Sequence, residues 1–147
     1  MKHKEVVLEK VIPSEEQIKN LFKLLSERKH NISNKSLPTY SEHKNFVQNN
    51  PYQVWYLIKL EQNYEGSIYI NKDNSIGINN CDEFSHTLIK QVLNKIIDNH
   101  KPLKSKPSER SGEFFLNVAA SNKSLQKKLN LIGLKISQVS FTFNKKN

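Results

Sequence analysis

The sequence predicts a mixed fold of the α/β class, of the α+β kind: a mostly antiparallel sheet of about six strands flanked by four helices, in a single domain over residues 1–147. Three observations predict it. A β-rich apolar run, Val54–Leu60, is followed at turn spacing by two more short β-rich segments, which makes a meander. The period then changes, with Phe84, Leu88, Val92 and Ile96 recurring every fourth residue. A further strand and helix follow a polar, proline-containing stretch, so the order reads β-α-α-β-β-β-α-β-α-β.

Each element has a local reason. Glu5–Ile12 alternates weakly as a first strand, and Pro13 ends it. Ser14 and Gln17 form a capping box, and Ile18, Leu21, Phe22 and Leu25 then share one helical face. Arg28–Tyr40 is polar, contains Pro38 and reads as a loop. Ser41 caps a second, short helix with Phe46 and Val47 as its apolar side, and Asn49-Asn50-Pro51 stops it. Val54–Leu60 is apolar almost throughout, as a strand covered on both faces should be. Glu65-Gly66 turns the chain into Ser67–Ile70, and Lys72-Asp73-Asn74 turns it into Ser75–Ile78. The third helix has a broad apolar face that includes Ile89, Leu93 and Ile97. Lys101–Gly112 holds two prolines and basic side chains and is a loop. Glu113–Val118 is a buried strand, Ser121 or Asn122 caps the last helix, and Gly133 ends it in a left-handed cap. Leu134–Ile136 and Val139–Phe143 close the chain as β-structure with a bulge at Gln138.

Composition narrows the function classes. Net charge is +9, with the excess in the last third: residues 101–147 carry ten basic and two acidic side chains. A cationic segment suits a polyanionic partner. Yet only Arg28 and Arg110 are arginine, alanine is scarce, and lysine, asparagine and isoleucine abound, so compositional bias explains much of the charge. No basic motif interleaved with aromatics is present, which argues against a nucleic-acid partner. One cysteine, Cys81, excludes an internal disulfide framework. At a helix N-terminus its thiol is expected to have a lowered pKa. The histidines show no metal-ligand spacing, so no metal is expected. No apolar run approaches the length of a membrane span and no leader is visible behind Met1–Glu5, so a cytoplasmic protein without a membrane partner is the expectation. Monomer and homodimer are both compatible with it.

The block Asn117-Val118-Ala119-Ala120-Ser121-Asn122, then a helix, then Ile132-Gly133-Leu134-Lys135 resembles the signature of the GNAT N-acetyltransferase superfamily. In that family a strand ending near an asparagine leads through a three-turn helix to Leu-Gly-Phe-Lys. The eleven-residue spacing of Asn122 and Gly133 matches, and the element order agrees along essentially the whole chain. The segment Ser41-Glu42-His43-Lys44-Asn45-Phe46, followed by Trp55-Tyr56, is similar to relatives that acetylate amino groups on nucleotide-linked sugars.

The resemblance implies a sheet splayed between its fourth and fifth strands, with Ile76–Asn79 diverging from Phe115–Val118. It implies acetyl-CoA as cosubstrate and a small-molecule primary amine as acceptor. Cofactor contacts would come from Ile76, Ile78, Asn79, Asn80, Ser85, Asn117, Asn122 and Lys123. Substrate contacts would come from His43, Trp55 and Tyr56. Lys104, Lys106, Arg110, Lys127 and Lys128 would lie toward the adenosine end or form a solvated face. Three departures stand out. Asn80, Glu83 and Ser85 occupy the slots of the pyrophosphate loop's glutamine and two glycines, and Asp82 and Glu83 bring negative charge there. Those acids either cap the third helix or oppose a pyrophosphate. Leu129 stands where many members carry a catalytic tyrosine, and only about ten residues follow Gln138.

Acyl transfer to an amine needs a proton acceptor, since only the neutral amine attacks the thioester. His43 and Tyr69 are the catalytic candidates, ahead of His86 and Cys81. Three function classes follow: an acetyl-CoA-dependent N-acetyltransferase, a degenerate domain of the same fold that binds or regulates, and a basic nucleic-acid-binding protein.

Overall fold

A computed structural model describes residues 5–29 and 36–143. The positions of His30 to Lys35 and of the four residues at each end lie outside the described residues, as does that part of the expected 28–40 loop. The elements in order are β1 (Val6–Lys10), α1 (Glu15–Ser26), α2 (Tyr40–Gln48), β2 (Val54–Leu60), β3 (Asn63–Ile70), β4 (Ser75–Asn79), α3 (His86–Asn99), β5 (Phe115–Leu116) and α4 (Lys123–Leu131). The five strands form one sheet in the order β1-β2-β3-β4-β5. The first four pair antiparallel and β5 joins β4 in parallel. The class is thus mixed α+β with a mostly antiparallel sheet, as the sequence predicts.

Helices cover both faces, which is why β2 is apolar on both. Odd residues Trp55 and Leu57 pack with Ile18, Leu21 and Leu24 of α1 and Val47 of α2. Even residues Ile58 and Leu60 join Ile68, Ile70 and Ile76 against Ile89, Val92, Leu93 and Ile96 of α3 and Leu129 of α4. The four-residue period of α3 is therefore its buried stripe, although Ile97 stands half exposed.

The caps show how the chain is steered. The Ser14 hydroxyl accepts from the Gln17 amide N–H, but Gln17 does not complete a box. Its side chain instead accepts from Ile12 N–H and donates to Glu9 and the Lys10 carbonyl, tying α1 to β1. The cap of α2 is Thr39 and not Ser41, in a full capping box with Glu42. On the apolar side expected of α2, Val47 is fully buried, and Phe46 is partly exposed with its ring packed against Tyr52 and Trp55. Asn122 caps α4 by accepting from Leu125 N–H at 3.2 Å. Gly133 (φ +102) ends α4 in a Schellman motif, with Gly133 N–H on the Asn130 carbonyl and Leu134 N–H on the Leu129 carbonyl.

The β2–β3 connection differs from the expectation. The turn is Glu61-Gln62, with φ of 50° and 75°, a two-residue loop of the kind whose twist matches a hairpin. Glu65-Gly66 lies inside β3, where Ile58 pairs with Gly66 but Lys59 pairs with Tyr64, so Glu65 is the extra residue of a bulge. Gly66 is required there for another reason: a Cβ would lie 2.8 Å from the Asn79 carbonyl oxygen. The Asn71–Ser75 turn is as expected. Asn74 is fully buried and exchanges hydrogen bonds with the Leu103 backbone, its Nδ2 donating at 2.9 Å and its Oδ1 accepting at 2.8 Å, which anchors the 101–112 loop.

Two further differences concern the end of the chain. β5 is two residues long, not the six of Glu113–Val118. Residues 134–143 form no strand, so the sheet has five strands and not six. Val139, Phe141 and Phe143 alternate in sequence as β-structure would, but no edge is paired with them, and they and Ile136 are exposed.

Candidate functional site

β4 and β5 pair at only two positions, Ser75–Phe115 and Ile76–Leu116. Phe115 N–H reaches the Asn74 carbonyl, so by the alternation of a strand the backbone groups of Asn74, Ile76 and Ile78 face β5. Beyond Ile76 the ladder has stopped, and the Ile78 edge faces a cleft. This cleft is lined by Ile78, Asn79, Asn80, Cys81 and Asp82 from the end of β4, by Asn122, Leu125 and Lys128 from α4, and by Arg28 and Lys29. A second cleft adjoins it on the α1–α2 face and shares Arg28, Asn79 and Asn80 with it. Its other walls include His43, Phe46, Tyr52, Trp55 and Ser67.

The segment between β4 and α3 is built differently from the expectation. Asn80 turns the chain with φ 63°, and its amide donates to the Leu24 carbonyl at 2.7 Å. Phe84 N–H closes a turn on the Cys81 carbonyl, and Phe84 is buried. Neither Asp82 nor Glu83 caps α3. Ser85 does, its hydroxyl accepting from Leu88 N–H at 3.1 Å, because it sits directly before the first helical residue. Glu83 is exposed and pairs with Lys29 at 3.8 Å. The Lys128 ammonium donates to the Asp82 carbonyl at 2.7 Å and ties α4 to this loop.

The Cys81 thiol is the reverse of a helix-activated one. It is buried, lies five residues before α3, and burial pushes its pKa up, with the nearby Asp82 charge adding to the effect. A protonated, enclosed thiol is not a nucleophile.

His43 is buried on α2 against the Phe22 and Tyr40 rings. Its Nε2 lies 3.2 Å from the Ile18 carbonyl oxygen. A carbonyl only accepts, so Nε2 carries the proton and Nδ1 of the neutral ring carries the lone pair. Burial lowers the His43 pKa, outweighing the Ile18 contact, and so favours that neutral form. The residue thus belongs to the wall of the second cleft as a neutral imidazole with one nitrogen committed.

Tyr69 stacks on Tyr52 with ring centroids 4.1 Å apart, under the same helices. Burial raises the pKa of both phenols, so both stay protonated donors, while the Arg28 charge opposes that rise. Trp55 is buried in the cleft wall. Tyr56, one residue on, necessarily points to the other face, where its hydroxyl lies 2.8 Å from His100 Nε2.

The structure therefore brings together Ile78, Asn79, Asn80 and Asn122 at the first cleft, and His43 and Trp55 at the second, with Tyr69 reached through Tyr52. It places Tyr56 away from both. The Ile76 side chain is in the core and Ser85 is engaged as a cap. Asn117 and Lys123 are exposed and line neither cleft. Among the lining residues that the sequence did not single out are Arg28, Lys29, Tyr52 and Ser67. Arg28 is one of only two arginines, which was the available signal.

Among the described residues no group of three or more histidine, cysteine or acidic side chains is arranged to hold a metal ion. No helix among them is long and apolar enough to cross a membrane. In comparisons with known proteins, no family model matches the chain and no curated protein sequence matches it.

Proposed function

We propose that the protein is an acyl-CoA-dependent N-acyltransferase of the GNAT type, transferring an acetyl group to a small primary amine. The observation that carries this reading is the early end of the β4–β5 ladder. It leaves the Ile78 amide and carbonyl facing a cleft whose opposite wall carries Asn122. An open strand edge of this kind suits the amides of a pantetheine arm.

Acetyl-CoA would supply an activated thioester. The β4 edge fits an amide-bearing arm, but the start of α3 fits a pyrophosphate poorly. No glycine is present, the Ser85 hydroxyl is committed to Leu88 N–H, and Asp82 lines the cleft. Like charges roughly 6 Å apart at an effective dielectric near 20 repel by almost 3 kcal/mol, about a hundredfold in affinity, before solvent screening. Lys29 and Lys128 offset part of that.

On the acceptor side, the chain's own groups have clear tasks. The aromatic wall of Tyr52 and Trp55 excludes water. The His43 Nδ1 lone pair is a proton acceptor in the cleft wall, and burial keeps it available at neutral pH. When the amine nitrogen forms its bond to the acyl carbon and the C–S bond breaks, the amine proton leaves through such an acceptor and the thiolate takes up a proton.

Asp82 in the cleft also favours a second reading, a domain of the same fold that has lost acyl transfer and retains binding. Calorimetry separates the two. The enzyme reading expects acetyl-CoA and CoA to bind, and Asp82→Asn with Glu83→Gly to tighten that binding. Absence of binding by the wild type up to millimolar ligand overturns it.

A further inference from the structure

Among the described residues, three buried side-chain nitrogen or oxygen atoms have no hydrogen-bond partner: Arg28 Nε, Trp55 Nε1 and Asn80 Oδ1. They are not scattered. All three residues line the one cleft under α1 and α2. Native proteins rarely leave such atoms unpaired, and clustering of the exceptions calls for a partner that the described residues do not provide.

Their chemistry is complementary in a specific way. Arg28 is a permanent cation and Nε–H a donor, and the Trp55 indole N–H can only donate. Asn80 is fixed the other way round. Its amide nitrogen already donates to the Leu24 carbonyl at 2.7 Å, so its oxygen is the end left to accept. Two donors, one of them charged, beside one acceptor describe the outline of a small molecule with an anionic oxygen and an N–H. The Tyr52 phenol lies in the same wall but is engaged with the Tyr69 hydroxyl, so Arg28 and Trp55 are the donors left for a ligand.

We infer that this cleft binds a small amine that also carries an anionic oxygen group, a carboxylate or a phosphate. Arg28 and Trp55 hold the anion and Asn80 receives the amine N–H. The amine half of this assignment rests on the acyl-transfer reading, whereas the anion half rests on the unpaired donors alone. The anion would also orient the amine, since charge-assisted bonds to a guanidinium are directional. Trp55 has a second role beyond the core packing its burial suggests.

The test uses the full chain without any CoA. Thermal shift and calorimetry are run with the common α-amino acids, with the corresponding amines lacking the carboxylate, and with phosphoethanolamine. At least one anionic amine is expected to raise the melting temperature, and its anion-free counterpart is not. A response to amino acids assigns the anion to a carboxylate, and a response to phosphoethanolamine alone assigns it to a phosphate. Arg28→Gln and Trp55→Phe are each expected to weaken that binding at least tenfold, with circular dichroism confirming the fold. The phenylalanine keeps one aromatic ring in place and removes the N–H donor together with part of the packing against Phe46 and Tyr52, so Arg28→Gln supplies the independent reading. No response to any anionic amine overturns the inference and leaves ordered water as the partner of these atoms. Equal binding with and without the anion overturns it too, as does binding indifferent to both substitutions. A CoA titration run in parallel separates the two proposals: anionic amine binding without CoA binding removes acyl transfer alone, and the converse removes this inference alone.

Discussion

The Tyr69 ring lies across Gly77 on the neighbouring strand, in the space where any other residue would carry its Cβ. The two are register partners in the β3–β4 ladder. The absent side chain lets the tyrosine lie flat under the helices and stack on Tyr52. Gly77→Ala is therefore expected to cost about 1–3 kcal/mol through overpacking. Urea denaturation measures the loss. A near-neutral effect would mean that Tyr69 moves aside freely and that the stack is loosely held.

Asn122 stands at both the cap of α4 and the first cleft. Asn122→Ala should lower stability by about 0.5–2 kcal/mol. Melting and CoA titration on the same variant divide the two roles. Lost stability with unchanged CoA affinity would leave the residue a cap alone.

His43 gives the protein a pH dependence with a definite sign. Its pKa is lowered by burial, so the unfolded chain binds the proton more readily. Stability from this site is full above the ordinary value of 6.5 and is lost as pH falls from there toward the folded pKa. The carboxylates Glu9, Glu15 and Glu42 have pKa values below the ordinary 4.5, so they do not contribute in that window. Urea midpoints between pH 7 and 5 should decline, and His43→Gln should flatten the decline even if its stability is lower throughout. An unchanged slope in the variant would show that another group carries it.

Cys81 is expected to be silent toward a thiol reagent such as dithionitrobenzoate at pH 8 in the folded state and to react fully in urea, since burial holds it protonated. Rapid labelling of the native protein would show that the segment between β4 and α3 opens readily.

Much of the fold was legible because it rests on periodicity. The stripe of α3 and the two-sided apolar run of β2 are patterns that a sequence displays directly. Gly66 was also a true signal, but of a bulge and a close approach to Asn79, not of a turn. The actual turn was invisible because its two positive-φ positions hold Glu61 and Gln62, residues that carry no such preference. Thr39-x-x-Glu42 was readable as a capping box and Pro38 beside it obscured that. The last strands failed for a different reason: an alternating pattern says what can pair, not whether an edge is available. The site was half legible. Asn122 and His43 lie in stretches with recognisable local form, whereas Arg28, Tyr52 and Asn80 meet only through tertiary packing of α1 on the sheet.

The short β5 ladder is also expected to leave the last part of the chain as the less stable of two cooperative units. The four antiparallel strands with α1, α2 and α3 share a continuous network. The chain after His100 is attached through two ladder pairs, the Asn74–Leu103 bonds, the Lys128–Asp82 bond and the packing of buried Leu129, with partly buried Phe114, Leu116, Val118, Leu125, Ile132 and Leu134 against the same core. Amide hydrogens of α4 should therefore exchange with deuterium well before those of β2 and β3, through openings that leave the meander intact. The proposed acyl site lies on the seam between these units. A molecule bridging Ile78 and Asn122 would lock them together, and slowed exchange in α4 would report its arrival even if no turnover follows.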